Sequence, residues 1–108
     1  ICPKTVFKDV RIQSEKVDVY IADDERYFLQ ALKSKFDARL FNLHLFTDCE
    51  SMLEKINSSA DGSYFFLDQN FEEGKMNGGA ALDILRRMGK TNLYNISEDS
   101  KHYSNAAI

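Results

Sequence analysis

Short apolar runs with the spacing of strands alternate along this chain with longer stretches in which apolar residues recur every three or four positions. This alternation is the pattern of an α/β fold, in which each strand is followed by a helix. The predicted strands cover residues 17–22, 43–46, 64–67 and 92–96. At 108 residues the chain is long enough for one domain with a modest core. We therefore expect a doubly wound parallel sheet covered by helices.

Local signals predict where the helices begin and end. Residues 47–50 match a capping box with Thr47 as the cap of the second helix, and Asn77 opens the third. Gly89 is the expected stop of the third helix, and residues 100–108 would begin a fourth. The stripes predicted to be buried on the first three helices are Phe28, Leu29, Leu32 and Phe36; Cys49, Met52, Leu53 and Ile56; and Ala81, Ile84, Leu85 and Met88.

Acidic residues come directly after two of the predicted strands. Asp23 and Asp24 follow the first strand, and Asp68 follows the third. The carboxyl ends of parallel strands share one rim of the sheet, where such folds place ligands, so we expect these three side chains to meet. Clustered carboxylates repel each other unless a cation joins them, and hard oxygen ligands suit Mg²⁺. The sequence therefore predicts a Mg²⁺-dependent phosphoryl site at this rim.

Composition and charge exclude several classes of function. The net charge of −3 gives no reason to expect affinity for nucleic acid or membranes, and 44% apolar with 29% charged residues is ordinary for a globular domain. No apolar run reaches the length of a membrane span, and the N-terminal segment lacks a signal-peptide core. Cys2 and Cys49 form no CxxC pair, so neither a zinc site nor a redox motif is indicated. A reduced, cytoplasmic setting is expected.

The acids and one hydroxyl residue together resemble the receiver domain of bacterial two-component response regulators. The resemblance rests on the run Ile-Ala-Asp-Asp-Glu that contains Asp23 and Asp24, on Phe-Leu-Asp at Asp68, and on Ile-Ser at Ser97. The separations between these motifs are similar to those of the family. The resemblance covers the chain from about residue 17 to its end, and it implies a flavodoxin-like parallel sheet.

The resemblance implies a role for each of these residues. Asp68 would accept a phosphoryl group from the phosphohistidine of a sensor histidine kinase or of a phosphotransfer protein. Asp23 and Asp24 would hold Mg²⁺ together with Asp68 and the backbone carbonyl of Asn70. Ser97 would hydrogen-bond the transferred group, and the shift of its loop would change an interaction surface on the fourth helix. A domain of this kind catalyses only its own phosphorylation and dephosphorylation.

Three features depart from the family's pattern. Receivers normally continue through a fifth strand, which carries a lysine, and a fifth helix, but this sequence ends at Ile108 without them. The loop after Asp68 lacks the Met-Pro turn common in the family, and Glu98 occupies a position that is usually small. The missing lysine and Glu98 favour an alternative, a pseudo-receiver that acts as a phosphorylation-independent interaction module. A haloacid-dehalogenase-like phosphatase would need aspartate where this chain has Asn70.

The expected domain organisation follows from the coverage of the resemblance. Residues 17–108 would form a receiver domain that lacks its fifth strand and helix, and residues 1–16 would be an N-terminal extension or a linker from a preceding domain. The extension is β-capable and includes a lysine. It could therefore supply the fifth strand in cis, or by strand exchange in a homodimer.

Overall fold

Four strands and three helices alternate through the part of the chain that the computed structural model describes, residues 16–56 and 62–96. In chain order they are β1 (Val17–Ala22), α1 (Arg26–Lys35), β2 (Phe41–Phe46), α2 (Cys49–Lys55), β3 (Tyr64–Asp68), α3 (Gly78–Arg87) and β4 (Asn92–Ile96). The predicted alternation of strands and helices is confirmed. Ser97, Glu98, the N-terminal extension and the predicted fourth helix lie outside the described residues.

All four strands are parallel, and their order across the sheet is β2-β1-β3-β4. The predicted α/β class with a parallel sheet is confirmed, and the arrangement is compatible with a flavodoxin-like doubly wound fold. Ala22 at the end of β1 lies level with Leu67 of β3, and Asp68 pairs with Ile96 of β4. This register brings the residue that follows β1 next to the last residue of β3.

Side chains of β1 alternate between two apolar layers, one on each face of the sheet. Val19 and Ile21 pack with α1 on one face, whereas Tyr20 and Ala22 pack with α2 and α3 on the other. The buried helical residues are Phe28, Leu29, Leu32 and Phe36 in the first layer and Cys49, Met52, Ile56, Ala81, Leu82 and Leu85 in the second. The two central strands, β1 and β3, are buried on both faces over most of their length, as is typical of parallel sheets covered on both sides.

The predicted capping box is wrong in its register. The cap of α2 is Asp48, whose backbone is extended (φ −148°, ψ 159°) and whose Oδ1 accepts the Ser51 N–H at 2.7 Å. Thr47 therefore lies one residue before the cap. Glu50 does not reach back to the cap, because its Oε2 accepts the Met76 N–H at 3.2 Å. The local motif predicted where the helix begins to within one residue but not what Glu50 binds.

Replacing Asp48 by alanine removes this cap, and we expect a loss of about 1 kcal/mol in the free energy of unfolding. The Ser51 hydrogen bond lowers the pKa of the Asp48 carboxyl, so the charged form is favoured in the folded protein. Its contribution is present above the ordinary carboxyl pKa and is lost as pH falls through the lowered value. Urea unfolding at neutral and acidic pH checks both points. Asp48→Asn, which retains a cap acceptor, is the control, and equal stability of the alanine variant at neutral pH would contradict the assignment.

Two further predictions are corrected at element ends. Met88 was expected in the buried stripe of α3, but the helix ends at Arg87 and the Met88 side chain is 42% exposed. Leu82 is buried instead, because the inward face of α3 is wider than the predicted stripe. The second strand begins at Phe41 rather than at residue 43, since Phe41 pairs with Val17 and extends the contact with β1. Gly89 follows the last residues of α3 as predicted.

Within residues 16–56 and 62–96, no helix is both long enough and apolar enough to cross a membrane.

Candidate functional site

Three carboxylates meet at the carboxyl edge of the sheet. One ligand oxygen from each of Asp23, Asp24 and Asp68 can be chosen so that all lie within 4.8 Å of one another. Asp23 is 0% exposed and Asp68 is 6% exposed, whereas Asp24 faces solvent. The predicted convergence of these acids follows from the pairing of β1 with β3, because both strands end at the same level. The cluster has two inner acids and one outer acid.

The backbone around Asp23 fixes its side chain. The Asp23 N–H donates to the Phe46 carbonyl at 3.0 Å, which continues the contact between β1 and β2 past the end of the strand. The Asp23 Oδ1 accepts the Glu25 N–H at 2.8 Å. Glu25 is the cap residue of α1 and makes no cap hydrogen bond with its own side chain. Asp23 thus begins the turn into the helix while its carboxylate lies at the sheet edge.

Asp68 is held by a close contact with the start of α3. A Cβ built on Gly78 would overlap the Asp68 carbonyl oxygen and lie 2.9 Å from the Asp68 carbonyl carbon. The Gly78 N–H donates to the Gln69 carbonyl at 3.1 Å. Only glycine permits this approach of the helix to the end of β3. Asn77 was predicted to open this helix, but the contact of Gly78 with Asp68 was not predicted.

A cleft of about 330 Å³ opens beside the acids. Its walls come from the three loops at the carboxyl ends of β1, β2 and β3, and the residues that line it are Asp24, Arg26, Thr47, Asp48, Phe71, Glu72 and Lys75. The lining is largely charged. Asp24 belongs to both the cleft and the acidic cluster, so the cleft borders the cluster on its solvent side.

The buried Cys49 thiol lies near these acids, and its pKa is raised. Burial raises the pKa of Cys49 to about 12, and Glu50, Asp48 and Asp68 add to the rise. Cys49 is a buried free cysteine, so it remains a neutral thiol at physiological pH. It is therefore neither a nucleophile nor a soft metal ligand at this edge.

The donor set fits a hard divalent cation. All three candidate ligands are carboxylates with oxygens within reach of one ion, and two of them are almost fully buried. Carboxylates at this spacing repel each other unless a cation lies between them. Few protein ligands with one side open to solvent match Mg²⁺, which keeps part of its water shell. Asp23, Asp24 and Asp68 would hold such an ion.

The structure does not test the predicted roles of the other two site residues, Asn70 and Ser97. Asn70 lies exposed in the loop after β3, and the role of its backbone carbonyl as a ligand stays a prediction. Ser97 lies beyond the described residues. Sequence reasoning missed Arg26 and Lys75, which line the cleft. Arg26 gave a usable signal, since it follows the acids by two positions, but Lys75 lies in a loop with no recognisable motif.

Comparisons of this chain with protein-family models, curated proteins and solved structures found no match.

Proposed function

We propose that this chain is a receiver-type phosphoacceptor domain in which Asp68 takes up a phosphoryl group with the help of Mg²⁺. The observation that carries the proposal is the convergence of Asp23, Asp24 and Asp68 at the carboxyl edge of a parallel sheet, with ligand oxygens within 4.8 Å. Receivers, which the sequence resembles, use acids in these positions. The proposed donor is the phosphohistidine of a sensor kinase or a phosphotransfer protein, and the proposed output is a changed interaction surface.

The geometry suits Asp68 as the nucleophile. Asp68 ends β3 and is almost buried, and its backbone carbonyl lies against Gly78 at the start of α3, so the residue is positioned before the donor arrives. A carboxylate oxygen of Asp68 would form the bond to phosphorus while the bond from phosphorus to the leaving atom breaks and its electron pair leaves with the donor. A bound Mg²⁺ would neutralise the charge on the phosphoryl oxygens. Asp23 and Asp24 would hold the ion rather than react.

Incubation with acetyl phosphate and Mg²⁺, followed by phosphate-affinity electrophoresis, tests the proposal. We expect a retarded band that EDTA prevents and that hydroxylamine removes, because the product is an acyl phosphate. A retarded band that persists with EDTA would point to a different modification. The absence of a band from protein shown to be folded would contradict the proposal.

A phosphorylation-independent interaction module is the second candidate. It is favoured by Tyr27, which is 93% exposed in the first turn of α1, next to the cleft residue Arg26. An exposed aromatic side chain of this size is a common anchor in protein interfaces. This candidate predicts partner binding that is unchanged by Asp68→Asn and reduced by Tyr27→Ala, whereas the phosphoacceptor predicts that binding depends on Asp68.

A further inference from the structure

Two cationic side chains, Arg26 and Lys75, line the cleft beside the acidic cluster. Arg26 is the first residue of α1, a position where the helix dipole favours acids, and the first turn of this helix contains none. In the described part of the chain, neither Arg26 nor Lys75 forms an ion pair. Residues that oppose a local rule of stability are often explained by function.

The backbone on both sides of Lys75 is anchored. The Lys75 N–H donates to the Glu72 carbonyl at 3.0 Å, closing a turn in which Gly74 has a φ of +88°. The next residue, Met76, donates its N–H to the Oε2 of Glu50 in α2 at 3.2 Å. These two bonds fix the loop after β3 against the second helix. Lys75 is thereby held at the wall of the cleft rather than on a free loop.

The acidic residues that line the cleft would repel a phosphoryl group, so an anion can enter only if cations on the same walls offset their charge. Asp24, Asp48 and Glu72 line the same space and would repel a phosphoryl group. Two cations on the same walls offset much of that charge, and a cleft of about 330 Å³ accommodates a small phosphorylated group. Lysine and arginine are the side chains that bind phosphoryl oxygens by charge-assisted hydrogen bonds.

We propose that Lys75 and Arg26 bind the phosphoryl oxygens of the donor in this cleft and guide the group to Asp68. The inference rests on the proposed phosphoacceptor function and adds the residues that select a phosphorylated donor. Both act on binding and orientation of the donor. Neither takes part in bond formation, which joins Asp68 to phosphorus as the leaving group departs with its electron pair.

The test compares Lys75→Gln and Arg26→Gln with Lys33→Gln, which removes the same charge from an exposed position in the last turn of α1. The rate of phosphorylation is measured against acetyl phosphate concentration in Mg²⁺. Loss of one charge-assisted hydrogen bond is expected to lower kcat/KM about 10-fold for Lys75→Gln, mainly through KM. Lys75→Arg should restore most of the rate, and added salt should slow the wild type more than a variant that carries both Lys75→Gln and Arg26→Gln. Lys33→Gln should match the wild type.

A second measurement separates this inference from the function on which it rests. Asp68→Asn, which cannot be phosphorylated, is titrated with acetyl phosphate and Mg²⁺ while the amide signals of residues 71–76 are followed by NMR. Shifts that disappear in Asp68→Asn with Lys75→Gln support the proposed anion site, even if the wild type is never phosphorylated. Phosphorylation of the wild type with equal kinetics in Lys75→Gln, Arg26→Gln and Lys33→Gln would overturn the inference and leave the proposed function intact. The same NMR shifts in Asp68→Asn and in Asp68→Asn with Lys75→Gln would overturn the inference as well.

Discussion

Replacing Gly78 by alanine is expected to destabilise the protein by about 3 kcal/mol, near the upper end of the cost of overpacking a rigid contact. The added Cβ would overlap the backbone carbonyl of Asp68, and neither group is a flexible side-chain end that can move aside. Either α3 must shift away from the sheet or the end of β3 must move. Both changes displace Asp68, so we also expect Mg²⁺ binding and phosphorylation to be lost in the fraction that remains folded.

Gly79→Ala is the matched control, because it makes the same chemical change one residue later in the same helix. A Cβ at this position would lie 3.4 Å from Nε2 of Gln69, which is an ordinary contact with a flexible side chain. Alanine is a better helix former than glycine, so stability should stay within about 1 kcal/mol of the wild type or increase. Urea unfolding of the two variants checks the pair. Equal midpoints would contradict the proposed contact between α3 and Asp68.

Asp23→Asn is expected to weaken Mg²⁺ binding by about 100-fold, because it removes the charge of an inner ligand while the remaining ligands stay in place. The asparagine carbonyl can still accept the Glu25 N–H, so the turn into α1 should persist. Without metal, the variant should be at least as stable as the wild type, since one of three clustered charges is gone. The wild type should gain stability in proportion to the logarithm of Mg²⁺ concentration, and Asp23→Asn should need about 100-fold more Mg²⁺ for the same gain.

Calorimetric titration with Mg²⁺ and thermal unfolding with and without the ion check this expectation. Asp83→Asn is the control, because Asp83 is an exposed acid on α3 that pairs only with the neighbouring Arg86 among the described residues. Its Mg²⁺ response should equal that of the wild type. The same Mg²⁺-induced stabilisation in Asp23→Asn and wild type would show that the three acids do not form the metal site.

The elements that the sequence predicted well are those whose signals are local. β1 and β4 were predicted with the observed bounds, because each is a short segment rich in apolar residues and flanked by polar ones. The convergence of Asp23 with Asp68 was also predictable, since both residues follow strands and parallel strands end at one rim. The order of strands and helices along the chain was sufficient to predict that the two side chains lie close together.

The features that were not predicted depend on contacts between segments that are far apart in the sequence. Glu50 matched a local capping motif, yet it binds the Met76 N–H, 26 positions away in the sequence. The position of Lys75 depends on that bond and on the turn at Gly74, so no sequence window contains the information. The need for glycine at position 78 arises only when α3 is packed against the end of β3. Tertiary packing, rather than propensity, decides each of these cases.

The most direct test of the account is the intact mass of the protein after incubation with acetyl phosphate and Mg²⁺, measured for the wild type, Asp68→Asn and Asp48→Asn. Asp48 lines the same cleft and its asparagine variant retains a cap acceptor, so it controls for the loss of a nearby carboxylate. We predict a gain of one phosphoryl group in the wild type and in Asp48→Asn, and none in Asp68→Asn. A gain of the same mass in Asp68→Asn, or no gain in folded wild-type protein, would contradict the assignment of Asp68 as the phosphoacceptor.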